Sequence, residues 1–164
     1  LIPEALVATR ALNAGLKTIS PYIKKDNMYK TRAVIGTVEG DIHDIGKNLV
    51  KMVVSTVGVE VIDLGIDVSI EKFIDAIKKY KPQLVMISAL LTTTLKQMKL
   101  TIEEIENKNL RDDVIIFVGG APVTRAYAME IKADYYTKDV VELRDLLDEN
   151  LDKILKQKST KKSR

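Results

Sequence analysis

"AVIGTVEGDIHDIGKN", residues 33–48, passes from an apolar, β-branched run through a polar loop into the start of a helical pattern. A buried strand that turns within a few residues into a helix is the opening half of a βαβ unit. The loop carries His43, the only histidine of the chain. Asp41 lies two residues earlier, close enough in an extended turn to bond one ring nitrogen and leave the other free to act as a donor to a metal. Gly40 and Gly46 flank the segment and permit a close backbone approach or unusual dihedrals, and an ordinary strand-to-helix turn explains them equally well.

The same alternation continues outward. Strand-like runs at 33–38, 59–64, 84–89, 114–119 and 133–137 alternate with helical patterns at 46–57, 70–80, about 94–107, about 124–131 and about 139–156. Near-continuous apolar strands separated by helices imply a parallel sheet covered on both faces. Right-handed crossovers then give a doubly wound, flavodoxin-like (Rossmann-type) α/β sheet of five strands, with expected order 2-1-3-4-5. In that order the loops after the first, third and fourth strands share one edge, where ligands of open α/β sheets bind.

Ahead of the sheet, Ile2, Leu6, Leu12, Leu16, Ile19 and Ile23 fall on one side of a helix with Pro3 in its first turn. Residues 1–23 are therefore expected to be an amphipathic helix in search of partners, 24–31 a polar linker, 32–152 the α/β domain and 153–164 a basic tail. The chain opens on Leu1 already in helical pattern, and it is expected to be a piece of something longer.

Bulk properties exclude several classes. At 164 residues and 46% hydrophobic composition the chain holds one well-buried domain and an appendage. It has no cysteine, which removes disulfides, thiolate zinc sites and a cysteine nucleophile. With a single histidine, only carboxylates remain to complete an ordinary transition-metal cage. No apolar run approaches a membrane span and no secretory signal is apparent, so a cytoplasmic protein without membrane contact is expected.

The net charge of +3 is carried by the tail: six of the 26 basic residues and no acid fall in 153–164, which leaves 20 bases against 23 acids elsewhere. The tail lacks interleaved aromatics and the body lacks a basic face, so it reads as a solvated, frayed helix end, and no nucleic-acid partner is expected.

The other two loops on the shared edge are also unusual. Ser88-Ala89-Leu90-Leu91-Thr92-Thr93-Thr94 places four hydroxyls in seven residues. One threonine is expected to cap the following helix, and the others suit a groove for a ligand rich in amide or phosphate groups. Gly119-Gly120-Ala121-Pro122 is not a phosphate-binding P-loop, because no Gly-Lys-Ser/Thr follows. It is either a permissive turn or a cleft cleared of side chains. A phosphorylatable receiver domain of the same fold would need an aspartate where this chain has Ser88, although Lys138 is near the lysine position of such domains.

Taken together, Asp41-x-His43-x-x-Gly46, 41 residues, Ser88-x-Leu90, 28 residues and Gly119-Gly120 resemble the signature of base-off, histidine-on cobalamin-binding domains. The resemblance covers about 31–150. Residues 2–16 are similar to the last helix of the helical cap module of corrinoid methyl-carrier proteins and of methionine synthase.

The resemblance implies that His43 is the lower axial cobalt ligand and Asp41 its hydrogen-bond partner, with Thr94 continuing the relay where the methionine synthase pattern has serine. It implies that Ser88 and Thr92 bond the displaced nucleotide tail, that Leu90, Gly119 and Gly120 leave room for it, and that Ile42, Asp44, Ile45 and Leu91 lie near the ring. The implied activity is that of a carrier, not autonomous as an enzyme, which cycles cobalamin or a related corrinoid between Co(I) and methyl-Co(III). The implied partners are a substrate-specific methyltransferase, a second methyltransferase acting on tetrahydrofolate or coenzyme M, and a reductive activating protein. The rivals are the cobalamin domain of an adenosylcobalamin mutase, a cobalamin light sensor, and a cofactor-free interaction domain.

Overall fold

The protein is described by a computed structural model over residues 29–162. The expected helix at 1–23 and most of the expected linker lie outside these residues. Among the described residues five strands, β1 (Thr31–Val38), β2 (Val59–Val68), β3 (Leu84–Ser88), β4 (Ile115–Gly119) and β5 (Tyr135–Tyr136), alternate with five α-helices. The helices are α1 (Ile45–Ser55), α2 (Ile70–Tyr80), α3 (Leu95–Asn107), α4 (Arg125–Glu130) and α5 (Val140–Lys162). All strand pairs are parallel and the order is β2-β1-β3-β4-β5, as the alternation predicts.

Each central strand is apolar on both faces because both are covered. Val34, Val85, Ile87 and Ile116 pack with Phe73, Ile77, Met98 and Ile102 of α2 and α3. Ala33, Ile35, Met86 and Phe117 pack with Val54 of α1 and Leu143, Leu147 and Leu151 of α5. Midway along β1 a Cβ on Gly36 would come within 2.9 Å of the Phe73 ring, so the ring packs directly against bare backbone.

Three expectations change. Thr31, assigned to the linker, is the first residue of β1, where it pairs with Val59. β2 continues past residue 64 to Val68, because register shifts against β1 at Ile35/Gly36 and Gly36/Val38 absorb the interruption of Gly65 and Asp67. The last helix runs to Lys162, past the expected end near 156, and Leu151 and Ile154 within it are both buried. Among the described residues no helix is long and apolar enough to cross a membrane.

Candidate functional site

The loop between β1 and α1 begins at Gly40, whose φ of +84° lies in the left-handed region that glycine enters freely. This turn sends the Asp41 side chain inward, where it is 0% exposed. A buried carboxylate needs a full set of donors, and Asp41 has four. Its Oδ1 accepts from the His43 ring at Nδ1, 2.7 Å, and from the His43 amide, 3.1 Å. Its Oδ2 accepts from the Leu90 amide at 2.7 Å and the Thr94 hydroxyl at 2.9 Å.

Burial alone would raise the Asp41 pKa. The bonds from the Leu90 amide, the His43 ring, the His43 amide and the Thr94 hydroxyl outweigh it and bring the carboxyl from 3.8 down to about 2.

The tautomer of His43 follows. An ionised carboxylate only accepts, so Nδ1 carries a ring hydrogen, and in the neutral ring Nε2 keeps its lone pair. The ring is half exposed, and among the described residues Nε2 has no protein partner. Ile42 (71% exposed) and Ile45, on either side of His43 in the chain, and Leu91, next to the Leu90 amide that bonds Asp41, are exposed apolar side chains. No group of three or more His, Cys, Asp or Glu side chains is assembled among the described residues. The arrangement presents one imidazole donor on segments that carry exposed apolar side chains, which suits a metal whose other ligands come with a flat organic ring.

Behind this loop a cavity of about 260 Å³ opens between α1 and the carboxyl ends of β3 and β4, with mostly apolar walls that include Gly46, Leu49, Ser88, Leu90, Gly119 and Gly120. A Cβ on Gly46 would meet only the Leu90 methyls at 3.8 Å, so the missing side chain there is room left open. Gly120 differs. At φ +128° its Cβ would fall 1.9 Å from the Ala89 carbonyl oxygen, so this glycine lets the loops after β3 and β4 touch. Within the glycine pair the turn reading fits Gly120, and a Cβ on Gly119 would meet the Thr137 carbonyl oxygen at 3.4 Å.

Thr94 is the residue at the N-terminal end of α3, but it makes no side-chain cap. Its one hydroxyl hydrogen is placed between Asp41 Oδ2 and the Leu91 carbonyl, both at 2.9 Å. The cap expected from one of Thr92, Thr93 and Thr94 is thus not made by Thr94, whose hydroxyl bonds Asp41 and Leu91 instead. Ser69 and Thr124, away from the site, do cap their helices. Asp44 begins α1 without a side-chain cap, and Thr92 is exposed in a 3-10 turn, outside the cavity lining.

Three residues of the site, Thr37, Lys47 and Asp67, were not singled out by sequence. Thr37 is buried at the end of β1, where its hydroxyl lies 3.2 Å from the His43 carbonyl, to which it can donate, and 3.0 Å from the Ser88 hydroxyl, a bond in which either can donate. A lone hydroxyl in an apolar strand was its signal. Lys47, 4% exposed, bonds Asp63 of β2 at 2.8 and 3.0 Å and Asn48 at 2.6 Å. Asp67 bonds the loop at Gly40 and Asp41. Nothing local in the sequence marks a contact across 27 residues.

Comparison with known proteins fits this geometry. Residues 31–144 match the B12 binding domain family. The trimethylamine corrinoid protein of Methanosarcina barkeri is 42% identical over 139 residues, 82% of this chain and 64% of that protein. The chain thus spans just under two thirds of that relative's length.

Among solved structures, the monomethylamine corrinoid protein of Methanosarcina barkeri superposes with a TM-score of 0.73 at 31% identity, covering 90% of this chain and 70% of that one. The methanol:cobalamin methyltransferase complex of the same organism gives 0.64 at 26%, covering 88% and 62%. The chain belongs to the B12-binding domain family, and its cofactor is cobalamin or a related corrinoid.

Proposed function

We propose that the protein carries a methyl group on a corrinoid within a methyltransferase system, and that His43 replaces the cofactor's own base beneath the cobalt. The observation that carries this reading is the buried Asp41 carboxylate, bonded to both the His43 ring and Thr94, with the half-exposed ring keeping Nε2 free of protein partners among the described residues. When bound, the corrinoid supplies a strongly nucleophilic metal that can accept and give up a methyl group.

The chain's own residues do the rest. Asp41 fixes the imidazole tautomer and sets how readily its lone pair is offered. Ile42, Ile45 and Leu91 exclude water beneath the ring. The cavity at Gly46, Ser88, Leu90 and Gly119 has the apolar walls and cleared space to take the displaced nucleotide tail, with the Ser88 hydroxyl at its edge. Thr92, in its exposed position, would meet the outer part of that tail.

A sheet domain cannot by itself activate a methyl donor, so one methyltransferase is proposed to load the group and another to pass it to tetrahydrofolate or coenzyme M, with a reductive activator as a further partner. The names of the relatives make methylamines the first donor class to test. The proposed setting is the cytoplasm, with residues 1–23 as the end of a helical cap and 24–30 as its hinge.

Retention of added cobalamin through gel filtration tests the reading. The wild-type chain should retain it and His43→Ala should bind at least about 100-fold more weakly, because a metal ligand is worth more than the tenfold to hundredfold of its supporting residues. Failure of the wild type to retain cobalamin would favour a cofactor-free interaction domain.

A further inference from the structure

The end of β2 lies beside the histidine loop, and nothing in the proposed function uses it. Asp67 has φ +50° and follows Gly65 at φ +92°. A non-glycine residue in the left-handed region is uncommon, and such conformations persist where the surroundings hold them. Here the surroundings are the ligand loop. The Asp67 carboxylate accepts from the Gly40 amide at 2.8 Å, and the Asp67 amide donates to the Asp41 carbonyl at 2.9 Å.

The two bonds grip successive residues of the turn that directs Asp41 inward. The β2 end is itself anchored. Asp63 accepts from the Gly65 amide at 2.8 Å and from the buried Lys47 of α1, so the helix following the loop is tied to the same strand.

We propose that Asp67 is a positioning residue that holds the Gly40–Asp41 turn, and through Asp41 the His43 ring, in its ligand-ready orientation before any corrinoid arrives. This rests on the reading of His43 as the axial ligand. A ring that is already oriented binds without first losing its freedom, so loosening it weakens binding without touching the metal.

Two variants separate positioning from general stability. Asp67→Gly relieves the left-handed backbone while removing the acceptor of the Gly40 amide. Asp67→Asn keeps both the acceptor and the tolerance for that conformation. The 164-residue chain, labelled with nitrogen-15 histidine, is examined without cofactor at about pH 8, where an ordinary imidazole is neutral. It has one ring to report.

The wild type and Asp67→Asn should show a fixed Nδ1–H tautomer and similar dissociation constants for hydroxocobalamin. Asp67→Gly should show averaged ring nitrogens and about tenfold weaker binding, the scale of a lost supporting bond. Wild-type ring signals and affinity in Asp67→Gly would overturn the proposal. Should Asp67→Gly not fold, hydrogen exchange of the Gly40 amide in the wild type decides: protection supports the clamp and free exchange overturns it. A fixed tautomer in protein whose cobalt shows no histidine nitrogen would instead remove the axial-ligand reading and leave the clamp standing.

Discussion

The loop after β1 and the loop after β4 each hold a glycine at positive φ, Gly40 at +84° and Gly120 at +128°, yet they serve the site in different ways. Around Gly40 the polar groups are tied: Asp41 to four donors, His43 to Asp41 and Thr37, and the turn itself to Asp67. Around Gly120 the means is absence. Backbone meets backbone at Ala89, and the space beside Gly46 stays open as an apolar cavity that Gly119 also lines. A metal ligand needs a fixed direction, which hydrogen bonds supply, whereas a slot for a bulky group needs volume, which glycine supplies.

The contrast can be broken at four points. The largest effect is expected at Gly120→Ala, where a Cβ 1.9 Å from the Ala89 oxygen forces the two loops apart. It should cost about 3 kcal/mol or more in urea unfolding, within the upper range for strained single substitutions. A cost below about 1 kcal/mol would show that the loops are not held in contact.

Next is Asp41→Asn. Whichever way the amide is turned, its NH₂ faces a backbone N–H, either of Leu90 or of His43. One buried donor is then left without an acceptor, at a cost of about 2 to 3 kcal/mol. The His43 ring also loses the partner that sets its tautomer.

Acid gives the third test. The folded Asp41 pKa, about 2, is depressed below its ordinary 3.8, so the folded state binds this proton less readily than the unfolded one. The resulting stability, about 2 kcal/mol by linkage, is present above pH 3.8 and lost as the pH falls from there through about 2. Urea midpoints of cofactor-free wild type and Asp41→Asn should therefore converge across that window. Parallel curves would contradict the buried, ionised carboxylate.

The smallest change in stability belongs to Gly46→Ala. Gly46 lies within α1 and its Cβ meets nothing closer than 3.8 Å, so helix propensity should make the variant more stable by about 0.5 to 1 kcal/mol. The same methyl group enters the cavity. Cobalamin binding should weaken by about tenfold, a fall in affinity with a gain in stability that marks space kept for a ligand.

Much of this was legible in the chain because it is local. Strand order follows from the alternation of apolar runs, and Asp41 and His43 declare themselves two residues apart. Thr94 was reached through the family resemblance, and folding brings its hydroxyl to Asp41 across 53 residues. Thr37 and Lys47 are polar groups that only the fold shows to be buried.

Asp67 could not be read. Its role depends on β2 running past Leu64 through register shifts that bring residue 67 back to residue 40. Gly119 and Gly120 look alike in sequence, and only the position of the Ala89 carbonyl separates them.

The central claim is that His43 coordinates cobalt in place of the cofactor's own base. The electron paramagnetic resonance spectrum of the cobalt(II) cobalamin form tests it most directly, taken with ordinary and with nitrogen-15 histidine, of which the chain has one. The triplet splitting from a nitrogen-14 axial ligand should become a doublet when His43 is labelled. A triplet that labelling leaves unchanged would mean that the cofactor keeps its own base, and the Asp41–His43 pair would not be its lower ligand site.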